Sequence, residues 1–332
     1  MREIRVASIQ PIGQPKMNVF GGERDRDLGR QKIEENLDMA CRLLAQAGEA
    51  GCDIVAYPED VQGIAHYGYY YAEPDLFADY VERIPGPATN RISEVARKYR
   101  MHVVFGTYER IGDAIYNTAV LMGRDGGIIG RYHKVQLPDV ERWSVTPGHS
   151  FPVFETEFGT VGMMICYDIN FPEVPRCLAL NGAELLLCPT MGYSMPGQCE
   201  ENGLMRVRMR AIDNFVPVVV ATCERDSVIV DSDGTVLAMA RPGKKDFIFA
   251  TIDLDGTPMD NSQWELITGV ADLKARLFQE RRPEVFAPIT DPRPPVLERY
   301  QGKPLKSTPE QRQQVFAELY RRWSGREWQS PV

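Results

Sequence analysis

Gly162-Met163-Met164-Ile165-Cys166-Tyr167-Asp168-Ile169-Asn170-Phe171-Pro172-Glu173 is the stretch that decides the fold. Its apolar start reads as a buried strand that runs into a cysteine, and Pro172-Glu173 opens a helix directly afterwards. A thiol is therefore expected at the carboxyl end of a strand, the edge at which α/β sheets gather ligands.

The pattern continues in both directions. Downstream, helical spacing extends to about 181, followed by a strand over 185–188, a helix over 200–213 and a strand over 215–221. Short strands over 228–230, 236–239 and 247–252 surround Asp233-Gly234. Upstream, 160–166 pairs with 151–155 across Gly159. Strand patterns occupy 4–9, 53–57, 103–108, 115–122 and 128–133, the last two flanking Asp125-Gly126-Gly127. Helical spacing fills 30–50, through Ile33, Leu37, Ala40, Leu43 and Leu44, and 88–99. Alternating strands and helices with inserted hairpins predict an α/β protein with a mixed sheet or two sheets.

The composition of the 332 residues bounds the rest. Hydrophobic residues make up 43% and charged residues 25%, as in a globular protein. No apolar run reaches the roughly 18 residues of a membrane span, and Met1-Arg2-Glu3-Ile4-Arg5 leads into a strand without a secretion signal, so no membrane association is expected. A net charge of −8 argues against nucleic acid as a partner. Seven widely spaced cysteines, with no C-x-x-C pair, point to a reducing cytoplasm rather than a disulfide framework. With four scattered histidines, a zinc site is not expected. Gly159-x-x-Gly162 precedes a strand rather than a helix, so it is no dinucleotide fingerprint.

Four groups carry the candidate chemistry. A cysteine is most often an inert core residue, and Cys188, ending Leu185-Leu186-Leu187-Cys188, fits that description. Cys166 differs in lying at a strand end before a helix start, where a thiolate is favoured. Glu59, just beyond Tyr57-Pro58, offers a carboxylate able to take the thiol proton and return it to a leaving amine. A solvated loop acid is the bland alternative, and Asp60 is adjacent. Lys134 offers a compact charge for an oxyanion, while His133 next to it offers a papain-like partner for Cys166. Glu141 could orient Lys134 or hold the substrate, and patterning does not separate it from Asp139.

Together these segments resemble the nitrilase superfamily of carbon–nitrogen hydrolases. Val55-Ala56-Tyr57-Pro58-Glu59 matches that family's strand-end glutamate, Tyr132-His133-Lys134-Val135 its lysine, Cys166 its nucleophile and Glu141 its auxiliary glutamate. The resemblance implies a four-layer α-β-β-α sandwich over 1–270, a C-terminal extension over 271–332, and a homo-oligomer built from dimers. It implies a cysteine amidase that needs no cofactor and converts a small-molecule amide to an acid and ammonia through a thioester.

Tyr167-Asp168 after the nucleophile, with Glu59-Asp60-Val61-Gln62-Gly63-Ile64 and Val140-Glu141-Arg142-Trp143, is most similar to the aliphatic amidases, although 193–206 and much of the tail depart from them. N-carbamoyl amine or amino-acid hydrolysis, and hydrazide or nitrile hydrolysis, are the neighbouring alternatives. A binding or regulatory subunit is the non-enzymatic one.

The resemblance places the backbone N–H of Tyr167 at the oxyanion. Thr190, Met191, Gly192 and Tyr193 follow a strand end and are expected to contact substrate, whereas the loop aromatics Tyr67, Tyr69, Tyr70 and Tyr71 suit a pocket lining or gate and equally an interface or core. In the tail, Phe316, Leu319, Tyr320 and Trp323 fall on a helical stripe after Thr308-Pro309-Glu310. Such a stripe suits packing on the domain or on a neighbouring subunit; a disordered tail is the alternative.

Overall fold

The computed structural model describes residues 2–11, 26–65, 74–138, 141–192, 200–223, 227–240, 247–256 and 262–300, with single positions between 311 and 321. The chain divides into two compact units, Met1–Asp255 and Gly256–Val332.

The first unit holds twelve strands in two sheets. Strands β1 (Glu3–Ile9), β2 (Ile54–Ala56), β3 (His102–Ile111), β4 (Ala114–Met122) and β5 (Ile128–His133) form one sheet with β12 (Phe247–Asp253), in the order β12-β1-β2-β3-β4-β5. The second contains β6 (Val153–Thr156), β7 (Gly159–Met163), β8 (Leu185–Thr190), β9 (Val218–Thr222), β10 (Val228–Val230) and β11 (Val236–Met239), in the order β11-β10-β9-β8-β7-β6. Each sheet has a parallel centre, β1-β2-β3 and β7-β8-β9, with antiparallel strands outside it.

The strands alternate between two cores, as the two-residue period requires. Val6, Ile54, Ala56 and Val104 face Val161, Met163, Leu185, Leu187 and Val219 between the sheets. Ala7, Val55, Tyr57, Val103 and Phe105 point the other way, into a core shared with helices α1 (Arg26–Glu49) and α3 (Pro87–Tyr99); α2 (Pro74–Tyr80) adds Phe77 and Tyr80. On the far side, α4 (Glu173–Leu180) and α5 (Glu200–Asn214) pack on the second sheet through Val174, Leu178, Val207 and Ala211. The architecture is the expected four-layer α-β-β-α sandwich.

Several boundaries differ from the sequence pattern, among them the end of β7 and the start of β9. Strand β7 ends at Met163, and Cys166–Asn170 forms a 3₁₀ turn before α4. Strand β9 begins at Val218 instead of Phe215, because Phe215 takes a left-handed φ of 50° on leaving α5. No described helix is long and apolar enough to cross a membrane.

The second unit carries short helices α6 (Ser262–Thr268), α7 (Leu273–Gln279) and α8 (Ala287–Thr290). Asp272 caps α7 by accepting from the N–H groups of Lys274 and Ala275. Gln311, Gln314, Ala317, Glu318 and Arg321 are helical, whereas the stripe residues Phe316, Leu319, Tyr320 and Trp323 lie outside the described residues.

Candidate active site

The carboxyl ends of β2, β5, β7 and β8 deliver four segments to one place. Glu59 follows β2 on a backbone held by hydrogen bonds from the Tyr57 N–H to the Val104 carbonyl and from the Val61 N–H to the Gly106 carbonyl. Gly106 allows this approach: a Cβ there would lie 2.2 Å from the Pro58 carbonyl oxygen. Lys134 leaves β5 with its N–H on the Asn117 carbonyl of β4 at 2.9 Å. Glu141 opens a short 3₁₀ turn, its N–H on the Pro138 carbonyl.

These side chains meet in one buried cluster. The Lys134 Nζ lies 2.6 Å from Glu59 Oε1 and 2.7 Å from Glu141 Oε2, and the three side chains are 1%, 1% and 0% exposed. Burial alone would lower the Lys134 pKa, but the Glu141 and Glu59 carboxylates outweigh it and hold the ammonium well above its ordinary value. Burial raises Glu141 to about 7, aided by the Glu59 charge and opposed by Lys134. The cluster thus has two carboxylates to one ammonium.

Cys166 stands against this cluster. It has a left-handed φ of 48°, uncommon for a residue with a Cβ, at the point where the extended backbone of Ile165 turns into the 3₁₀ segment. Glu59 and Thr190 are hydrogen-bonding neighbours of the thiol, and its Sγ lies 4.0 Å from the Gly192 carbonyl oxygen. Burial, then the Glu59 charge, pushes the thiol up to about 12, against the pull of Lys134. At neutral pH it is a neutral thiol, with the Glu59 carboxylate as a neighbouring acceptor.

The segment after β8 closes the other side. Thr190 Oγ1 donates to the Gly192 carbonyl at 2.9 Å and accepts the Gly192 N–H at 3.0 Å. The Met191 N–H donates to Glu59 Oε2 at 3.1 Å. Thr190, Met191 and Gly192 thus stand beside the thiol and Glu59, whereas Tyr193 and the loop tyrosines 67 and 69–71 lie outside the described residues.

The structure separates pairs that the sequence left open. Asp60 turns away and accepts the Ile64 and Ala65 N–H groups at 3.0 and 2.6 Å, shaping its own loop. His133 points to the opposite face from Lys134, with Nε2 3.0 Å from Glu109 Oε2 and its ring stacked on Tyr116, so it does not partner Cys166. Asp139 lies outside the described residues; Glu141 bonds Lys134. Cys188 is fully buried beneath the site, and burial raises its thiol well above the ordinary range.

Two residues of the site escaped sequence reasoning. Asn117 donates from Nδ2 to Glu59 Oε1 at 2.8 Å and to Glu141 Oε1 at 2.7 Å. Asp168, read in the sequence as a marker of branch, is a clamp. Its Oδ2 accepts the Ile165 N–H at 2.9 Å and the Tyr132 hydroxyl at 2.8 Å, and its Oδ1 accepts the Gln136 N–H at 2.8 Å. The clamp ties the cysteine turn to both sides of Lys134, and burial lifts Asp168 to about 6 despite its three donors.

Asparagine has one acceptor where Asp168 has two, and its amide would turn a donor toward another donor. Asp168→Asn is therefore expected to cost about 1–3 kcal/mol of stability. It should also lower kcat by tens-fold through misplacement of Cys166 relative to Lys134. Thermal melts and steady-state kinetics on one preparation check both, and unchanged values would remove the clamp from the account.

The site thus brings a buried carboxylate–lysine–carboxylate cluster against a cysteine at a strand end. The family model described as Carbon-nitrogen hydrolase matches residues 5–258, and the chain belongs to that family, within the nitrilase superfamily. It is accordingly an amidohydrolase acting on non-peptide carbon–nitrogen bonds. It is 35% identical over 240 residues to omega-amidase NIT2 of Bos taurus, covering 66% of this chain and 83% of that protein. Among solved structures, a carbon–nitrogen hydrolase from Helicobacter pylori G27 superposes with a TM-score of 0.68 at 21% identity, covering 87% of this chain and 99% of the other. An amidase from Nesterenkonia sp. gives 0.62 at 21% identity, with 86% and 95% covered. At these identities the structural likeness concerns the fold.

Proposed function

We propose that the chain hydrolyses a small or medium carboxamide to its carboxylic acid and ammonia through a thioester on Cys166. The observation that carries this reading is the shared buried cluster of Glu59, Lys134 and Glu141 against a thiol held in a left-handed turn. Relatives named omega-amidase support a carboxamide as the bond attacked.

The steps follow from the geometry. Glu59 accepts the Cys166 proton as sulfur attacks the amide carbon. The carbonyl oxygen gains the negative charge, which Lys134 and the Tyr167 N–H stabilise; the first N–H groups of a helical turn have no partner within the turn. One such donor is worth about 3 kcal/mol of transition-state stabilisation. Glu59 returns its proton to the nitrogen, the carbon–nitrogen bond breaks and ammonia leaves. Glu59 then takes a proton from water, which attacks the thioester and frees the acid and the thiol. Glu141 holds the second side of Lys134, keeping the ammonium from following the Glu59 proton. No step requires a cofactor or a metal.

Thr190, Met191 and Gly192 border the acyl group in this reading. Cys41, Cys52, Cys166 and Cys188 are free thiols, which supports a reducing cytoplasmic location. Pairing into a homo-oligomer through α4 and α5, where Leu180, Met205 and Met209 are exposed, completes the proposal.

Ammonia release from a panel of carboxamides, carbamoyl compounds, hydrazides and nitriles tests the reading. Acid and ammonia in equal amounts from a carboxamide are expected. Carbon dioxide released with ammonia from a carbamoyl compound alone would move the assignment to carbamoyl hydrolysis.

A further inference from the structure

We propose that Asn117 is a positioning residue that fixes which oxygen of Glu59 receives the Cys166 proton. This rests on the reading of Glu59 as the base for Cys166.

The donors around Glu59 are unequal. Oε1 accepts two hydrogen bonds, from Lys134 Nζ at 2.6 Å and Asn117 Nδ2 at 2.8 Å, which occupy both lone pairs. Among the described residues Oε2 accepts the Met191 N–H alone, at 3.1 Å, and its second lone pair is the one that faces the neighbouring thiol. The same Asn117 nitrogen donates to Glu141 Oε1 at 2.7 Å, and the second Glu141 oxygen faces Lys134 at 2.7 Å.

An amide nitrogen can only donate. At these distances the fork is satisfied when both oxygens it touches are unprotonated. The flipped amide would set an acceptor against two carboxylate oxygens and would require protons on them. Asn117 itself is 1% exposed, on β4, and its Oδ1 has no donor among the described residues. The donor end is thus the end the site uses. Asn117 keeps protons off the inner oxygens, steers the thiol proton to Oε2 and holds Glu59 in register with Lys134.

The titratable groups facing Glu59 are Lys134, Glu141 and Cys166, with Asp60 and Cys188 also within electrostatic reach. None of these changes in an Asn117 variant. The alanine variant takes one donor from Glu59 Oε1 and one from Glu141 Oε1, and the aspartate variant adds a third carboxylate beside them, so each disfavours further negative charge in the cluster.

The test compares Asn117→Ala and Asn117→Asp with the parent enzyme. The rate at which iodoacetamide alkylates Cys166, read from the mass of its peptide, is followed against pH, a readout that needs no substrate. The pH at which Cys166 becomes reactive is expected to rise by about one unit in the alanine variant and about two in the aspartate variant. With a hydrolysed amide, kcat should fall by ten- to a hundred-fold while KM stays within about threefold. If the alanine variant does not fold, the aspartate variant, which keeps the shape, carries the comparison. A lower melting temperature with an unmoved alkylation profile would reduce Asn117 to a structural hydrogen bond and overturn the proposal. A shifted profile in an enzyme that releases ammonia from no amide would uphold it and sink the amidase reading instead.

Discussion

Replacing Cys166 with alanine is expected to lower amide turnover by at least about 10⁴-fold, because the covalent route disappears and neither Glu59 nor Lys134 can form a bond to carbon. The fold should survive. The replacement removes a sulfur from a residue that is only partly buried by its neighbours and keeps the backbone conformation. A second substitution separates chemistry from strain. The φ of 48° at Cys166 is unfavourable for any side chain with a Cβ and open to glycine. Cys166→Gly should therefore match Cys166→Ala in lost turnover yet melt higher, by an amount corresponding to about 1 kcal/mol. Equal melting points would mean that the turn stores no strain. Undiminished turnover in either variant would remove the sulfur from the mechanism.

Lys134→Met should be damaging in both stability and activity. It leaves Glu59 and Glu141 buried with no cation between them, a defect expected to cost about 3–5 kcal/mol near neutral pH. Turnover should also fall by at least a hundred-fold, since the oxyanion loses its charged partner.

The stability loss has a definite pH dependence. Burial already raises Glu141 from 4.5 to about 7, so the folded state holds that proton more tightly than the unfolded chain. Such a group favours the fold fully below its unfolded pKa, and that contribution is lost as pH rises through the folded value. Removing Lys134 takes away the charge that opposes this shift and drives Glu141 further in the same direction. The variant should accordingly melt closer to the parent in mild acid and fall further behind it in mild base. Thermal melts across that range check this, and a gap that widened toward acid would contradict the charge arrangement.

The layers of the fold were legible because they rest on local rules. Alternation at Val6-Ala7 and Ile54-Val55-Ala56 names two faces, and the helical spacing through Ile33, Leu37 and Leu44 names the helix that covers one of them. The pairing of strands into two sheets was not, since β12 joins β1 across most of the first unit. Glu59, Lys134 and Cys166 were visible because each ends a strand. Asn117 was not: within Tyr116-Asn117-Thr118 it reads as an ordinary polar position of a strand, and its role exists only where β4 meets the segments after β2 and β5. Asp168 was noticed for its place next to the cysteine. Its partners Tyr132 and Gln136 are far away in sequence, and no pattern of residues joins them. His133 shows the converse. Its neighbour Lys134 faces the site, and adjacent residues at a strand end point apart, so an imidazole one residue away serves Glu109 instead.

The most direct measurement is the mass of the Cys166-bearing peptide from enzyme quenched in acid during turnover of a carboxamide, alongside enzyme whose Cys166 was alkylated beforehand. A peptide heavier by the substrate mass less ammonia, with no ammonia released by the alkylated enzyme, is the predicted result. Acyl mass on any other residue, or ammonia released at full rate by the alkylated enzyme, would contradict it.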